Sequence, residues 1–284
     1  MIRNSIAIQT GLDPANAKIE FFWQAEPNEE PEPFFETGAN EWYWPGHGVR
    51  TESGLVLFLN RLHATSTGLG FESVGWDSLL IENPDSDPPD WRIRKLKSPN
   101  DRLGIQVGFA SVLLYEGYVY AFGSADRDKT HPIYAARWPL DAVSKGDLMA
   151  PEWWGGEEAG WIFKDPDLIR EPLLTGGQSE MTIHFDARSG QFISVQTLGF
   201  GKAQVAMRAS PRLAGEWLTP TAIFDPPENE RKNVMIYAGK AHPQFEGADL
   251  VLTYATNTTE FSEHISDSEI YYPQFIRLSS CDSR

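Results

Sequence analysis

Polar and apolar residues alternate along most of this chain in short runs, each opened by a turn residue, and no long run follows helical spacing. Four runs share one layout: SGLVLFLNRL (residues 53–62), EGYVYAFGSA (116–125), SGQFISVQTL (189–198) and EGADLVLTYAT (246–256). In each, a glycine turn leads into a β-rich core. The cores begin at Leu55, Tyr118, Phe192 and Leu250, 58 to 74 residues apart. That spacing holds one four-stranded sheet and its loops per step.

A further strand-like run precedes each core: EWYWPGHGV, IQVGFASVLLY, SEMTIHFD and MIYAGKAHP. After the first three cores comes a third strand and then an edge rich in Trp and Pro: NPDSDPPDWRIRKL, YAARWPLDAV with PEWWGG, and MRASPRLAGEWLTPTAIFDPPE. Proline is tolerated at a sheet edge because its missing N–H breaks no ladder bond there. Trp153, Trp154 and Trp217 therefore read as edge anchors. At the N-terminus, NSIAIQTG and AKIEFFWQ look like only the outer strand pair of a blade, followed by the acidic, proline-rich AEPNEEPEPFFETGANE. The pattern predicts an all-β, five-bladed β-propeller with an incomplete N-terminal blade. It forms a single domain over 1–284: a partial blade at 1–25 and further blades near 41–100, 101–172, 173–230 and 231–279. A β-sandwich is the alternative, although its turns recur about every 8–12 residues without the longer repeat.

Composition narrows the partners. Hydrophobic residues make up 41% of the 284, enough for a substantial core, and the 10 Trp and 9 Tyr supply flat faces that pack in sheets or stack on sugars. A formal charge of −16 with no basic patch argues against nucleic acid and anionic membranes. The lone Cys281 excludes both a disulfide framework and a cysteine metal cluster. No run approaches the ~18 apolar residues of a membrane span, and MIRNSIAIQTGLD lacks the apolar region of a signal peptide. The expected location is outside the cell or in the periplasm if a leader precedes Met1, and the cytoplasm otherwise.

Six stretches, EWYWPGHG, YVYAFGSADRDKTHPIYAARWPL, SEMTIHFDARSGQFISV, RASPRLAGEW, IYAGKAHPQF and IYYPQFIRL, carry a family resemblance across nearly the whole chain. The chain resembles an uncharacterised group of five-bladed β-propeller proteins related to the furanosidase-like glycoside hydrolases: arabinanases, levansucrases and their kin, with endo-D-arabinanases among the relatives. The resemblance implies a carbohydrate ligand held at a central channel. Two departures accompany it. Members of the group begin with a Gly-Asp inner-strand motif upstream of the segment that here starts at Asn4-Ser5-Ile6, and His47 stands where many relatives have an acidic residue.

In a propeller, the innermost strand of each blade lines the channel, so its polar and aromatic residues are the candidates. They are Glu41, Trp44 and His47 in the first full unit, Glu180 and His184 in the third, and Lys240 and His242 in the fourth. Glycoside hydrolysis needs a carboxylic acid to protonate the leaving oxygen, and Glu180, opening an inner strand after the loop LLTGGQS, is the candidate catalytic acid. The competing reading is a glutamate that binds backbone N–H groups at the loop end. Trp44, His47, Arg61, Lys240 and His242 are candidate substrate-binding residues. Alternation places Trp42 and Trp44 on one face and Tyr43 on the other. For the aromatic rings, packing between blades is the competing role. For each histidine it is a hydrogen bond to a carbonyl or to water. Arg61 is placed to grip a carboxylate, either that of Glu180 or a structural one.

Asp126 and Asp128 in SADRDKTHP are too few oxygens for a calcium site, and no histidine pair has zinc spacing, so no metal and no cofactor are expected. LGFGKAQV lacks P-loop spacing, and no G-x-S-x-G elbow occurs. The Asn257 sequon matters only in a eukaryotic secretory pathway. Two functions remain open: a glycoside hydrolase-like propeller acting on a polysaccharide or oligosaccharide, or a non-catalytic propeller that binds glycans or protein and has lost its first-blade carboxylate. The oligomeric state is not legible.

Overall fold

The computed structural model describes residues 2–25, 30–38, 40–68, 70–99, 104–125, 130–163, 171–245, 249–267 and 269–279. Asp126, Asp128 and Cys281 lie outside these residues. The chain forms two compact units, residues 1–11 with 15–176, and 12–14 with 177–284.

The first unit begins with the antiparallel hairpin β1 (Ile6–Thr10) and β2 (Lys18–Phe22). A four-stranded sheet follows, of β3 (Glu41–Thr51), β4 (Gly54–Ala64), β5 (Phe71–Ile81) and β6 (Ile93–Lys95), in chain order. A five-stranded sheet comes next: β7 (Ser111–Tyr115), β8 (Tyr118–Ser124), β9 (Ile133–Pro139), the helical turn α1 (Leu140–Ser144), β10 (Glu152–Trp154) and β11 (Trp161–Phe163). In the second unit, β12 (Thr182–Asp186), β13 (Gln191–Leu198), β14 (Gln204–Ser210) and β15 (Thr221–Phe224) form one sheet. The strands β16 (Val234–Ala241), β17 (Leu250–Thr258) and β18 (Gln274–Leu278) form another, with α2 (Phe261–Ser266) between its last two strands.

Each sheet is an up-and-down antiparallel meander, the blade unit of a β-propeller, and the fold is all-β of that class. The described residues thus form four sheets and one hairpin. Four strands per blade holds for the first and third sheets only. In the second, Trp161 adds β11: its ring lies 4.3 Å from the Arg137 guanidinium, which also stacks on Tyr118 at 4.2 Å and donates to Glu152 at 2.6 Å. The last sheet has three strands among the described residues.

Alternation along β4 buries Val56, Phe58, Asn60 and Leu62 on one face, and Phe58 packs against Trp76 and Trp138 in the main core of the first unit. Asn4 is buried and staples the N-terminal segment to this sheet: its side-chain amide donates to the Phe35 and Tyr43 carbonyls, and its Oδ1 accepts the Phe35 N–H. In the second unit, Val195, Val205, Ile236 and Leu252 form the core. No helix is long and apolar enough to cross a membrane among the described residues.

The opening strands of the first and last sheets share one irregularity. Register slips between Pro45 and Gly48 in β3, and between Tyr237 and Lys240 in β16. Gly46 admits the Gly108 carbonyl to within 2.8 Å of where a Cβ would lie, and the His47 N–H donates to that oxygen at 3.0 Å. Gly239 packs on the Gln196 backbone, with 2.7 Å from its would-be Cβ to the carbonyl carbon. Such bulges redirect the side chains that follow them.

Candidate functional site

In the first unit the alternation on β3 is as expected. Trp42 and Trp44 both meet Phe71 edge-on, at 6.3 and 4.7 Å, while Tyr43 points to the opposite face. Trp42 is buried under the Arg3 guanidinium, a packing role, whereas Trp44 is half-buried. His47 is half-buried in the β3 bulge.

Arg61 has structural partners. Its Nε lies 3.2 Å from Glu41 and its Nη1 3.4 Å from Asp77, so the carboxylates it grips are on its own sheet rather than at Glu180. Asp77 is buried and its Oδ2 also accepts from the Tyr43 hydroxyl (2.6 Å) and Lys95 Nζ (2.8 Å). Burial, then the hydrogen bond to Asp77, raises the Tyr43 pKa and keeps it a neutral donor. The ends of the Asp77 and Arg61 side chains border a cavity of about 230 Å³, lined also by Val74, Gly75, Trp76, Ser98 and Pro99. Glu41 and Asp77 are therefore neutralised within a charge network, and the first sheet supplies no free carboxylate at this point.

In the second unit, Glu180 lies half-buried two residues before β12. Its neighbours are fixed: Met181 is wholly buried, and Thr182 Oγ1 accepts the Ala241 N–H at 2.9 Å. Among the described residues Glu180 makes no hydrogen bond or ion pair. Its charge is felt by two phenols. Burial, and then Glu180, raises the pKa of Tyr237; for Tyr271, whose surface is mostly exposed, the shielding of its hydroxyl end and then Glu180 act in the same direction, so each stays protonated as a donor. Lys240 follows on the same strand as Tyr237, after the bulge, and has no ion pair among the described residues.

His242, just past β16, has its Nε2 2.8 Å from Thr253 Oγ1 and its ring near Phe245 and Phe275. Burial, and then the Lys240 charge, pushes its pKa down to about 4, so the imidazole is neutral at neutral pH. His184 is buried within β12, where burial lowers its pKa against the pull of Asp186. Two strands over in the same sheet, on β14, Arg208 is buried, its Nη2 donating to Gln196 Oε1 at 2.6 Å, and burial lowers its pKa to about 10. Among the described residues no three His, Cys, Asp or Glu side chains converge as metal ligands.

Sequence reading missed Tyr237, Tyr271, Phe200, Asn257 and Arg208. One signal was present: Phe200 stands between two glycines in LGFGKAQV, where an aromatic in a turn has nothing local to pack on. Trp153 is buried on β10 and Trp217 donates to the Leu213 carbonyl at 3.1 Å, closing its own turn as an edge anchor does.

Residues 1–280 match the family model described as a domain of unknown function, DUF5005. The chain belongs to the DUF5005 family. No curated protein sequence matches it. Among solved structures, this DUF5005 chain is similar to a protein of Bacteroides ovatus described as a candidate hydrolase, at 16% identity and a TM-score of 0.68, over 89% of this chain and 69% of that one. It is also similar to the GH32 β-fructofuranosidase BmSUC1 of Bombyx mori, at 10% identity and a TM-score of 0.51, over 84% of this chain. There it spans about half the length of the enzyme, 46%. An α-L-arabinofuranosidase of Lactobacillus brevis aligns at 13% identity and a TM-score of 0.49, over 94% of this chain and 80% of that one. For the first two, both with a TM-score above 0.5, the likeness is one of fold alone, and it agrees with the propeller class read from the sequence.

Proposed function

We propose that this DUF5005 chain is a glycoside hydrolase-like propeller that acts on an oligosaccharide or polysaccharide, with Glu180 as its acid. We read the β1–β2 hairpin as the outer half of a fifth blade and the chain as a single propeller domain. The observation that carries the proposal is Glu180 itself: a half-buried carboxylate on a fixed backbone, unpaired among the described residues, whose charge is felt by two phenols. A carboxylate serving only the fold would be paired, as Asp77 is. In the reaction Glu180, in its carboxylic acid form, gives its proton to the glycosidic oxygen as the bond to the anomeric carbon breaks; water adds its oxygen to that carbon, and the proton it releases returns to the Glu180 carboxylate. Trp44, His47, Lys240 and His242 are the proposed substrate contacts; Arg61 serves by holding Glu41 and Asp77 in place.

Screening arabinan, arabinogalactan, fructan and sucrose for release of reducing sugar tests the proposal. Glu180→Gln is expected to lower turnover by about 10²–10⁴-fold on any active substrate. Equal rates for the wild type and the variant would refute the catalytic role. A second reading, a propeller that binds glycans without turnover, is favoured by one observation: the first sheet presents His47, and its Glu41 and Asp77 are bound to Arg61. Calorimetric binding with no product formation by wild type would select it.

A further inference from the structure

Of the exposed rings of the second unit, two among the described residues are more than half in solvent. Phe200 is 59% exposed and Tyr271 is 62% exposed. Each is nevertheless held in place. Phe200 lies in the turn between β13 and β14, flanked by Gly199 (φ 92°) and Gly201 (φ 87°). The Ile236 N–H donates to the Gly201 carbonyl at 2.8 Å, tying that turn to β16. The Phe200 ring thereby stands 6.2 Å from that of Tyr237, tilted by 49°. Tyr271 adopts φ 73°, a left-handed conformation that a bulky residue keeps only under constraint from its surroundings. Its N–H donates to the Thr256 carbonyl at 3.2 Å, and its ring meets His264 edge-on at 5.9 Å.

The two positions are joined through Asn257. Its Oδ1 lies 2.7 Å from His264 Nε2, and its side chain hydrogen-bonds the Tyr237 phenol. The Ala241 N–H donates to Thr182 Oγ1 at 2.9 Å and Gly239 lies against Gln196 of β13, the strand paired with β12, so the segment that carries Glu180 runs alongside β16 and Tyr237; Tyr237 and Tyr271 both feel the Glu180 charge. Phe200 is thus fixed beside Tyr237 and Tyr271 is fixed to the neighbouring strand, and the two phenols lie within reach of a carboxylate that is unpaired among the described residues.

We infer that Phe200, Tyr237 and Tyr271 form a platform on which a neutral sugar ring stacks, so that its glycosidic oxygen is presented to Glu180. The platform rests on the reading of Glu180 given above and adds to it the residues that select the ligand. Ring faces bind the apolar C–H faces of a sugar, and the two protonated phenols donate to its hydroxyls. The ligand is uncharged because the chain carries −16, a field that repels an anionic sugar.

The test uses the full chain and four probes: sucrose, an inulin-type fructo-oligosaccharide, a linear arabino-oligosaccharide and, as the anionic control, a galacturonate oligomer. Affinities come from calorimetry, turnover from product release and folding from thermal melts. Phe200→Ala and Tyr271→Ala are expected to weaken binding of the preferred neutral probe at least about tenfold, with melting temperatures close to wild type for Phe200→Ala. Tyr271→Phe keeps the ring and retains affinity within about threefold. Glu180→Gln binds but does not turn over.

Wild-type affinity in both alanine variants overturns the platform, and if Glu180→Gln is still inactive the catalytic reading survives alone. Ring-dependent binding without hydrolysis upholds the platform and removes the catalytic reading. Binding of the galacturonate oligomer in preference to the neutral probes, or binding of none of the four, overturns the platform.

Discussion

Asp77 and Glu180 are both acidic residues near aromatic rings, and they illustrate opposite uses of a carboxylate. Asp77 is enclosed by Tyr43, Lys95 and Arg61, all directed at one of its oxygens. Removing it leaves a buried phenol and two cations without their acceptor. Asp77→Ala is therefore expected to lower stability by about 3 kcal/mol, at the low end for a buried pair because Lys95 is half in solvent, as read by urea unfolding. Removing Asp85, whose pair with Arg50 is largely exposed, should leave the unfolding midpoint nearly unchanged. His242 predicts a pH response. Its folded pKa of about 4 lies below the ordinary 6.5, so the unfolded chain takes up the proton first. Stability is then full above pH 6.5 and falls as pH drops toward about 4. His242→Gln, which can still bond Thr253, should lose less melting temperature than wild type between pH 7 and pH 4.5, while buried His184 leaves some acid sensitivity in both.

At the scale of elements, the bulges in β3 and β16 place the candidate residues. A regular strand would send Lys240 to the other face, since one step of register reverses every side chain. The β16 bulge depends on Gly239 lying against the Gln196 backbone. Gly239→Ala should destabilise the protein by about 1–3 kcal/mol, because the clash is with backbone that cannot rotate away. Gly38→Ala, which meets no atom within 4 Å, is the matched control and should melt with wild type. The strand runs themselves were readable: 53–62 predicts β4, and 189–198 predicts β13, because a glycine turn and period-two alternation are local properties. The fifth strand of the second sheet was not, because β11 exists through Trp161 and its stack on Arg137, a contact between residues 24 positions apart in sequence.

For the molecule as a whole, the charge of −16 makes a prediction independent of the site. Self-repulsion opposes the compact state, so raising salt from low millimolar to about 0.15 M should raise the melting temperature, and the protein should pass a heparin column unretained. Alternation, turn glycines and edge prolines were enough to determine the all-β class and the order of its meanders, since each depends on neighbours in sequence, and the family resemblance pointed from there to Glu180 as the acid to examine. Only the tertiary structure decided what surrounds those residues. Arg61 turned to Glu41 and Asp77 because β3 and β5 flank its strand, and Glu180, unpaired among the described residues, acts on Tyr237 and Tyr271, which follow it by 57 and 91 residues. Partners of that kind are set by which strands become neighbours in space, and the spacing of residues along the chain does not encode them.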